Sequence, residues 1–307
     1  MTENPTPVPG ESVGLPEHDR PVTRPSTPPQ LPLADVPRRL FTCTPSRLLT
    51  WVDCPRSYRM SYLDRPRPKP GPPWAHNSLG AAVHNALAGW WRLPRVRRTP
   101  QAAGELLDAI WSADGFRDTE QAGAWRARAR VLVERYVARL DPDDEPPGVE
   151  RTLAMRTQRL AFSGRVDRLD ERHGELVVVD YKTGRHALSS ADVRGSLALA
   201  LYALAAARTL RRGCEQVELH HLPTGEIHAW RHTPESLARA LERSEQIADE
   251  IVAATDLAQG AGTSPHGGDA FPPRPGSHCG WCSWHAHCAA GQAAAPAREP
   301  WDGLGEL

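Results

Sequence analysis

Asp167, Asp180 and Lys182 are the residues whose types and spacing could do chemistry together. They fall in the segment 163–184, SGRVDRLDERHGELVVVDYKTG. An alternating run over 162–169 and a valine-rich run over 175–179 flank a polar link, Glu171-Arg172-His173-Gly174. This pattern predicts a β-hairpin in which Gly174 is free to take positive φ. Strand side chains alternate faces, so Asp180 and Lys182 point one way and Tyr181 the other. In an antiparallel pair Asp167 can approach the face of Asp180. Two carboxylates held together are costly unless a cation sits between them, and oxygen ligands suit Mg²⁺ or Mn²⁺. Carboxylates, a divalent ion and a neighbouring ammonium are the parts needed for metal-assisted phosphodiester hydrolysis. A surface hairpin with solvated charges is the plain alternative.

The order Asp, link, Asp-x-Lys decides between the two. GRVDRLD followed by VVVDYKTG resembles the RecB-type branch of the PD-(D/E)XK nucleases. The resemblance implies that Asp167, Asp180 and Lys182 are catalytic, and that the Tyr181 backbone carbonyl joins the two carboxylates on the metal. LGAAVHNAL resembles the family's first motif, which makes His84 a metal ligand; alone, His84 would read as a hydrogen-bonded histidine beside a helical apolar stripe. Glu150 and Tyr202 are implied as members of the surrounding shell. The family places a glutamine four residues before that tyrosine, and Ala198 stands there in this chain.

Six cysteines in a chain with no secretory leader read as metal ligands before disulfides. Cys279, Cys282 and Cys288 form a compact C-x2-C-x5-C cluster that lacks a fourth ligand. His278, His285 and His287 lie close enough to complete a zinc knuckle. FPPRPGSHCGWCSWHAHC and TPSRLLTWVDCPRSYRMSYL instead resemble the two ends of the RecB-type nuclease domain. There Cys54 would join the three later cysteines on a [4Fe-4S] cluster that staples the chain ends together. Cys43 and Cys214 read as ordinary buried thiols. Trp281 and Trp284 read either as a shield for the cluster or as stacking surfaces for unpaired bases.

The elements that must position these groups follow from the remaining pattern. Helices are expected at 47–62, 78–92, 101–113, 119–140, 190–211 and 234–255, and strands at 151–160, 216–221 and 226–232. Residues 1–38 read as a disordered proline-rich leader, 257–278 as a linker and 290–307 as a flexible tail. The resemblance implies an α/β, restriction-endonuclease-like core over 39–289: a mixed β-sheet flanked by helices, a helical insertion at about 78–140 and an iron–sulfur motif at 271–289. The charges balance at 37 basic and 37 acidic residues, so DNA contact needs a local basic patch. Arg126, Arg128, Arg130, Arg135 and Arg139 on one helix form the densest candidate, followed by Arg56, Arg59, Arg65, Arg67 and Lys69. No apolar run is long enough to span a membrane, and a cytoplasmic protein is expected. The expected activity is a Mg/Mn-dependent deoxyribonuclease, exonuclease-like, acting on single-stranded DNA or DNA ends in repair or recombination, with a helicase as a conceivable partner. The alternative is a non-catalytic iron–sulfur or zinc DNA-binding subunit.

Overall fold

The structure, a computed structural model, describes residues 40–260 and 270–305. The expected leader and most of the expected linker lie outside the described residues. In chain order the elements are β1 (Phe41–Cys43), α1 (Pro45–Asp53), α2 (Pro55–Tyr62), α3 (Ala75–Trp91), α4 (Pro100–Ile110) and α5 (Thr119–Val137). Then come β2 (Gly148–Arg156), β3 (Leu160–Arg172), β4 (Glu175–Lys182), α6 (Ser190–Gly195), α7 (Leu197–Leu210), β5 (Gln216–His221), β6 (Glu226–Arg231), α8 (Pro234–Gly260) and α9 (Ala289–Ala294).

The strands form one mixed sheet in which β3 is the hub. Strand β2 runs antiparallel along one edge of β3. On the other edge, β1 pairs in parallel with residues 160–162, and β4 pairs antiparallel with residues 168–172. Residues 163–167 therefore have no strand partner on that edge. Beyond β4, β5 is parallel and β6 antiparallel. The β3–β4 turn is the expected hairpin: His173 and Gly174 both take left-handed φ (54° and 81°), the geometry of a two-residue turn.

Helices cover both faces of the sheet. One core packs Leu48 and Trp51 of α1, Leu199 and Leu201 of α7, and Ile247 and Ile251 of α8 against Phe162 and Val178. The other packs Leu79, Val83 and Leu87 of α3, Leu107 of α4 and Val133 of α5 against Val177, Val179 and Tyr181. Consecutive β4 residues thus serve opposite cores, as the strand period demands. No described helix is long and apolar enough to cross a membrane.

Several boundaries differ from expectation. The single helix expected at 47–62 is two, because Pro55 lacks the N–H that would continue α1 and starts α2 instead, leaving Cys54 extended (φ −164°) between them. Thr44 caps α1 by accepting the Arg47 N–H at 3.2 Å. The helix expected at 190–211 breaks at Ser196, which caps α7. The strand expected at 151–160 is β2 alone, ending in a turn at Thr157 that leads into β3. β1 was not expected: three residues carry too little pattern, and its pairing is entirely non-local. Part of the expected linker is ordered too: Phe271 is buried in the first core. The expected tail packs on the domain: α9 begins it, Pro300 accepts the Ala75 N–H at 3.0 Å, and Leu304 is buried in the second core.

Candidate active site and thiol cavity

Asp167 sits where the edge of β3 passes from β1 to β4. Its Oδ2 accepts the Tyr181 backbone N–H at 2.8 Å, so a side chain bridges the gap left by the missing ladder. An extended residue turns its N–H and C=O to the same edge, so the Tyr181 carbonyl also faces Asp167. The neighbouring Lys182 carbonyl, turned the other way, accepts from Leu222. On the far edge of β3, Glu150 lies opposite Asp167, between the pairs Val149↔Arg168 and Arg151↔Val166. Glu150 has φ 48°, a left-handed conformation that interrupts the ladder. Such a conformation costs a non-glycine residue about 1–3 kcal/mol and clusters at functional sites.

Helix α3 brings His84 over the same point. Its Nδ1 lies 3.1 Å from Asp167 Oδ1, and its ring meets Tyr181 edge-on. Among the described residues, His84, Glu150 and Asp167 are the one group of three His, Cys, Asp or Glu side chains whose ligand atoms all lie within 4.8 Å. Asp180 holds Lys182 Nζ at 2.6 Å. Imidazole and carboxylate donors at this spacing fit a hard divalent ion.

The electrostatics mark the same point. Burial pushes the Asp180 carboxyl up; Lys182 pulls it down, Asp167 pushes it up, and the net shift is upward. Burial likewise raises Glu150, with Asp167 adding to it against Arg165. For His84 burial lowers the pKa, but the hydrogen bond to Asp167 and the charges of Asp167, Asp180 and Glu150 outweigh it, and the net shift is upward. Tyr202 on α7 is pushed up to about 12, first by burial and then by Asp180 and Asp167, so its hydroxyl keeps its proton at neutral pH. Tyr202 approaches β3 only because residue 164 is glycine: a Cβ there would lie 2.6 Å from Tyr202 Cε1. Ala198 lies one turn earlier on the same helix face and leaves the flank of Tyr202 without an amide. His84, Tyr181 and Lys182 also line a cavity of about 320 Å³ that Gly303 and Leu304 help to wall.

The structure thus brings together His84, Glu150, Asp167, Asp180, Tyr181, Lys182 and Tyr202. Glu150 lies nearer the centre than its sequence context implied, because only the register with β3 reveals its partner. Gly164, Gly303 and Leu304 were not foreseen; glycine at 164 was visible in the sequence, but what it admits was not.

A second cavity, of about 520 Å³, is lined by Cys54, Cys279, Cys282 and Cys288 together. All four are free thiols. Backbone N–H groups of Arg274, Trp284 and Gly291 point at Cys54, Cys282 and Cys288 at 3.4–3.5 Å. Burial raises the Cys282 pKa, and Cys54 and Cys279 add to it against the Trp284 N–H. A tetrahedral zinc with bonds of about 2.3 Å needs thiolates about 3.8 Å apart. No three thiols or imidazoles of this cavity meet even the 4.8 Å spacing. Two of the rival histidines are engaged elsewhere: His285 Nε2 with the Ala295 carbonyl and His287 Nε2 with the Lys69 carbonyl, both at 2.9 Å. The wide, donor-lined thiol set fits a polynuclear cluster better than a single ion. Trp284 is buried and donates to Ser61 Oγ, so it walls this cavity; Trp281 packs against Trp74.

The basic strips are less free than their sequences suggested. Arg126 and Arg130 are held by Asp108, and Arg130 also by Glu134. Arg59 pairs with Asp64, and Arg56 donates to the Phe271 carbonyl.

The sequence match decides what this arrangement is. A family model described as the PD-(D/E)XK nuclease superfamily matches residues 42–289. The chain belongs to the PD-(D/E)XK nuclease superfamily. Its mixed sheet and flanking helices form a restriction-endonuclease-like core. Among solved structures, the chain is similar to SSO0001 (12% identity, TM-score 0.38, covering 81% of this chain and 86% of that one). It is also similar to a protein from Eubacterium rectale named as an exonuclease (12% identity, TM-score 0.30, covering 61% and 85%). No curated protein sequence matches the chain.

Proposed function

We propose that this chain is a Mg²⁺- or Mn²⁺-dependent DNA nuclease of the RecB type, hydrolysing phosphodiester bonds in single-stranded DNA or at DNA ends. The observation that carries the reading is the meeting of Asp167 with His84, Glu150 and the Asp180–Lys182 pair at the unpaired stretch of β3. His84, Asp167, Asp180 and the Tyr181 carbonyl would hold the ion, with Glu150 completing the acidic shell. When bound, the ion supplies a Lewis acid for the scissile phosphate and a water of lowered pKa. Lys182, kept beside Asp180, orients the attacking water. The protonated Tyr202 hydroxyl offers a hydrogen bond toward the same space. Asp180→Ala should abolish Mn²⁺-dependent cleavage of end-labelled DNA and leave DNA binding intact; cleavage at the wild-type rate sinks the reading.

Cys54, Cys279, Cys282 and Cys288 would hold a [4Fe-4S] cluster, on the strength of their shared cavity and its backbone donors. That cluster would be structural, lying in a cavity separate from the carboxylates. A role in DNA repair or recombination, and a helicase partner, follow from the resemblance to RecB-type enzymes alone.

A further inference from the structure

A third cavity, of about 490 Å³, opens between α1, the α6–α7 junction, β6 and α8. Leu49, Leu197, Ala200 and Ile247 give it an apolar floor. Three arginines, Arg194, Arg239 and Arg243, stand around it. Among the described residues no carboxylate lies within ion-pair distance of Arg194 or Arg239, and Arg243 reaches Glu250 only at 3.4 Å. In a chain of balanced charge, whose basic helix α5 is largely neutralised by Asp108 and Glu134, this is a concentrated and weakly compensated positive patch.

The wall of the cavity is aromatic. Trp230 is half-buried and Arg194 lies over its ring, 5.6 Å from the centroid. His232 is 4% exposed. Trp230 Nε1 and His232 Nε2 have no hydrogen-bond partner among the described residues, although both atoms are buried. Unpaired buried polar atoms in a native fold signal a missing partner. The Ser236 hydroxyl can donate to the Thr233 carbonyl at 2.9 Å, which leaves its oxygen to accept from His232 Nδ1 at 3.0 Å and frees Nε2 as an acceptor. The cavity therefore presents guanidinium groups for an anion, an aromatic face for a planar group and ring nitrogens of both polarities.

We infer that this cavity binds one nucleotide unit of the DNA strand that is cut at the Asp167 site. The phosphate is taken by Arg194 and Arg239, and the base packs beside Trp230. The inference rests on the nuclease reading for the identity of the strand. The two sites share α7: Leu197 is in the cavity floor and Tyr202 reaches the carboxylates, about 7.5 Å of axial rise apart at 1.5 Å per residue. A strand leaving the carboxylates along α7 reaches the arginines within a few nucleotides.

The test is fluorescence anisotropy of a labelled single-stranded oligonucleotide in EDTA, so that binding is read without cleavage. Arg194 and Arg239 are exposed, so the double variant Arg194→Ala/Arg239→Ala keeps the fold. It should raise Kd about tenfold or more, and flatten the slope of log Kd against log salt by about 1.4, two phosphate contacts at about 0.7 each. Trp230→Leu should weaken binding by about fivefold or more through lost stacking. Mn²⁺-dependent hydrolysis of the small ester thymidine 5′-(p-nitrophenyl phosphate) should be the same in wild type and double variant, because that substrate ends before the cavity. An unchanged Kd and salt slope in the double variant overturn the inference, as does displacement of the oligonucleotide by an equal concentration of dAMP, which would make the occupant a free nucleotide. Hydrolysis with unaltered variant binding removes the cavity alone; arginine-dependent binding with no hydrolysis in wild type removes the nuclease reading and leaves the cavity as a DNA contact.

Discussion

Replacing Glu150 by glutamine should stabilise the metal-free protein. Glu150 and Asp167 have ligand atoms within 4.8 Å, and two unit charges at that distance repel by roughly 3 kcal/mol at an effective dielectric near 20. His84 and Arg165 offset part of this; Arg165 lies 2.7 Å from Glu150 but is two-thirds exposed. The net burden agrees in sign with the upward shift of the Glu150 carboxyl. A carboxyl whose folded pKa is raised binds its proton more tightly when folded, so its ionised form subtracts stability above that pKa. Glutamine copies the protonated form and keeps a hydrogen bond for Arg165. We expect a gain of about 1 kcal/mol at pH 7, a rise in Tm of about 2–4 °C for a domain of this size. Divalent ions should reverse the order. Binding at a hundredfold over Kd stabilises wild type by about 2.7 kcal/mol, and the variant should keep little of it. Thermal melts in EDTA and in MnCl₂ read both effects. A variant that melts at or below wild type in EDTA, or that gains as much from Mn²⁺, refutes the placement of Glu150 among the metal ligands.

Other expectations follow from single distances. Cys282→Ser should remove visible charge-transfer absorbance and lower Tm; a colourless wild type that carries zinc refutes the iron–sulfur assignment. Gly164→Ala should drive Tyr202 off β3, cost about 1–3 kcal/mol and reduce kcat, since its Cβ would meet Tyr202 Cε1 at 2.6 Å. Burial raises Glu218, but hydrogen bonds from His220 and Arg172 hold it down at about 2, against an ordinary 4.5. The depressed pKa contributes about 3 kcal/mol that is complete above pH 4.5 and lost as pH falls toward 2. Glu218→Gln should forfeit most of it at pH 7 and flatten the acid limb of a stability–pH profile.

The hairpin, the alternation that parts Tyr181 from Asp180 and the helices of the insertion were legible because each is a local pattern. Gly174 announced its turn, and Pro55 announced a break. What stayed hidden was set by register. Nothing near Glu150 says that it faces Asp167 across a ladder, or that it adopts φ 48° there. β1 is three residues whose only reason to be extended is the free edge of β3. The arginines of α5 looked like a DNA-binding stripe because Asp108, which holds two of them, lies on another helix. The segment 290–305 looked like a tail because its contacts are with α3, about two hundred residues upstream.

The thiol cavity and the carboxylates are coupled through α1, and this gives the cysteines a reason beyond stability. Cys54 follows the last residue of α1, and the segment that carries the other three cysteines docks on the same helix. Trp51 of α1 meets Phe271 edge-on at 6.0 Å, and the Arg274 guanidinium bonds the Val52 carbonyl. The other end of α1 touches the active site: Pro45 Cδ lies 3.2 Å from the position of a Gly164 Cβ, beside Tyr202. Thr44 caps this end and leads directly from β1, which borders the unpaired stretch of β3 where Asp167 sits. Releasing Cys54 therefore frees the helix that fixes both β1 and the approach of Tyr202. A variant lacking the thiol set should lose catalytic rate at temperatures where its helices are still folded, and added Mn²⁺ should restore little of it, because the loss lies in the alignment of the site and not in the supply of its ion.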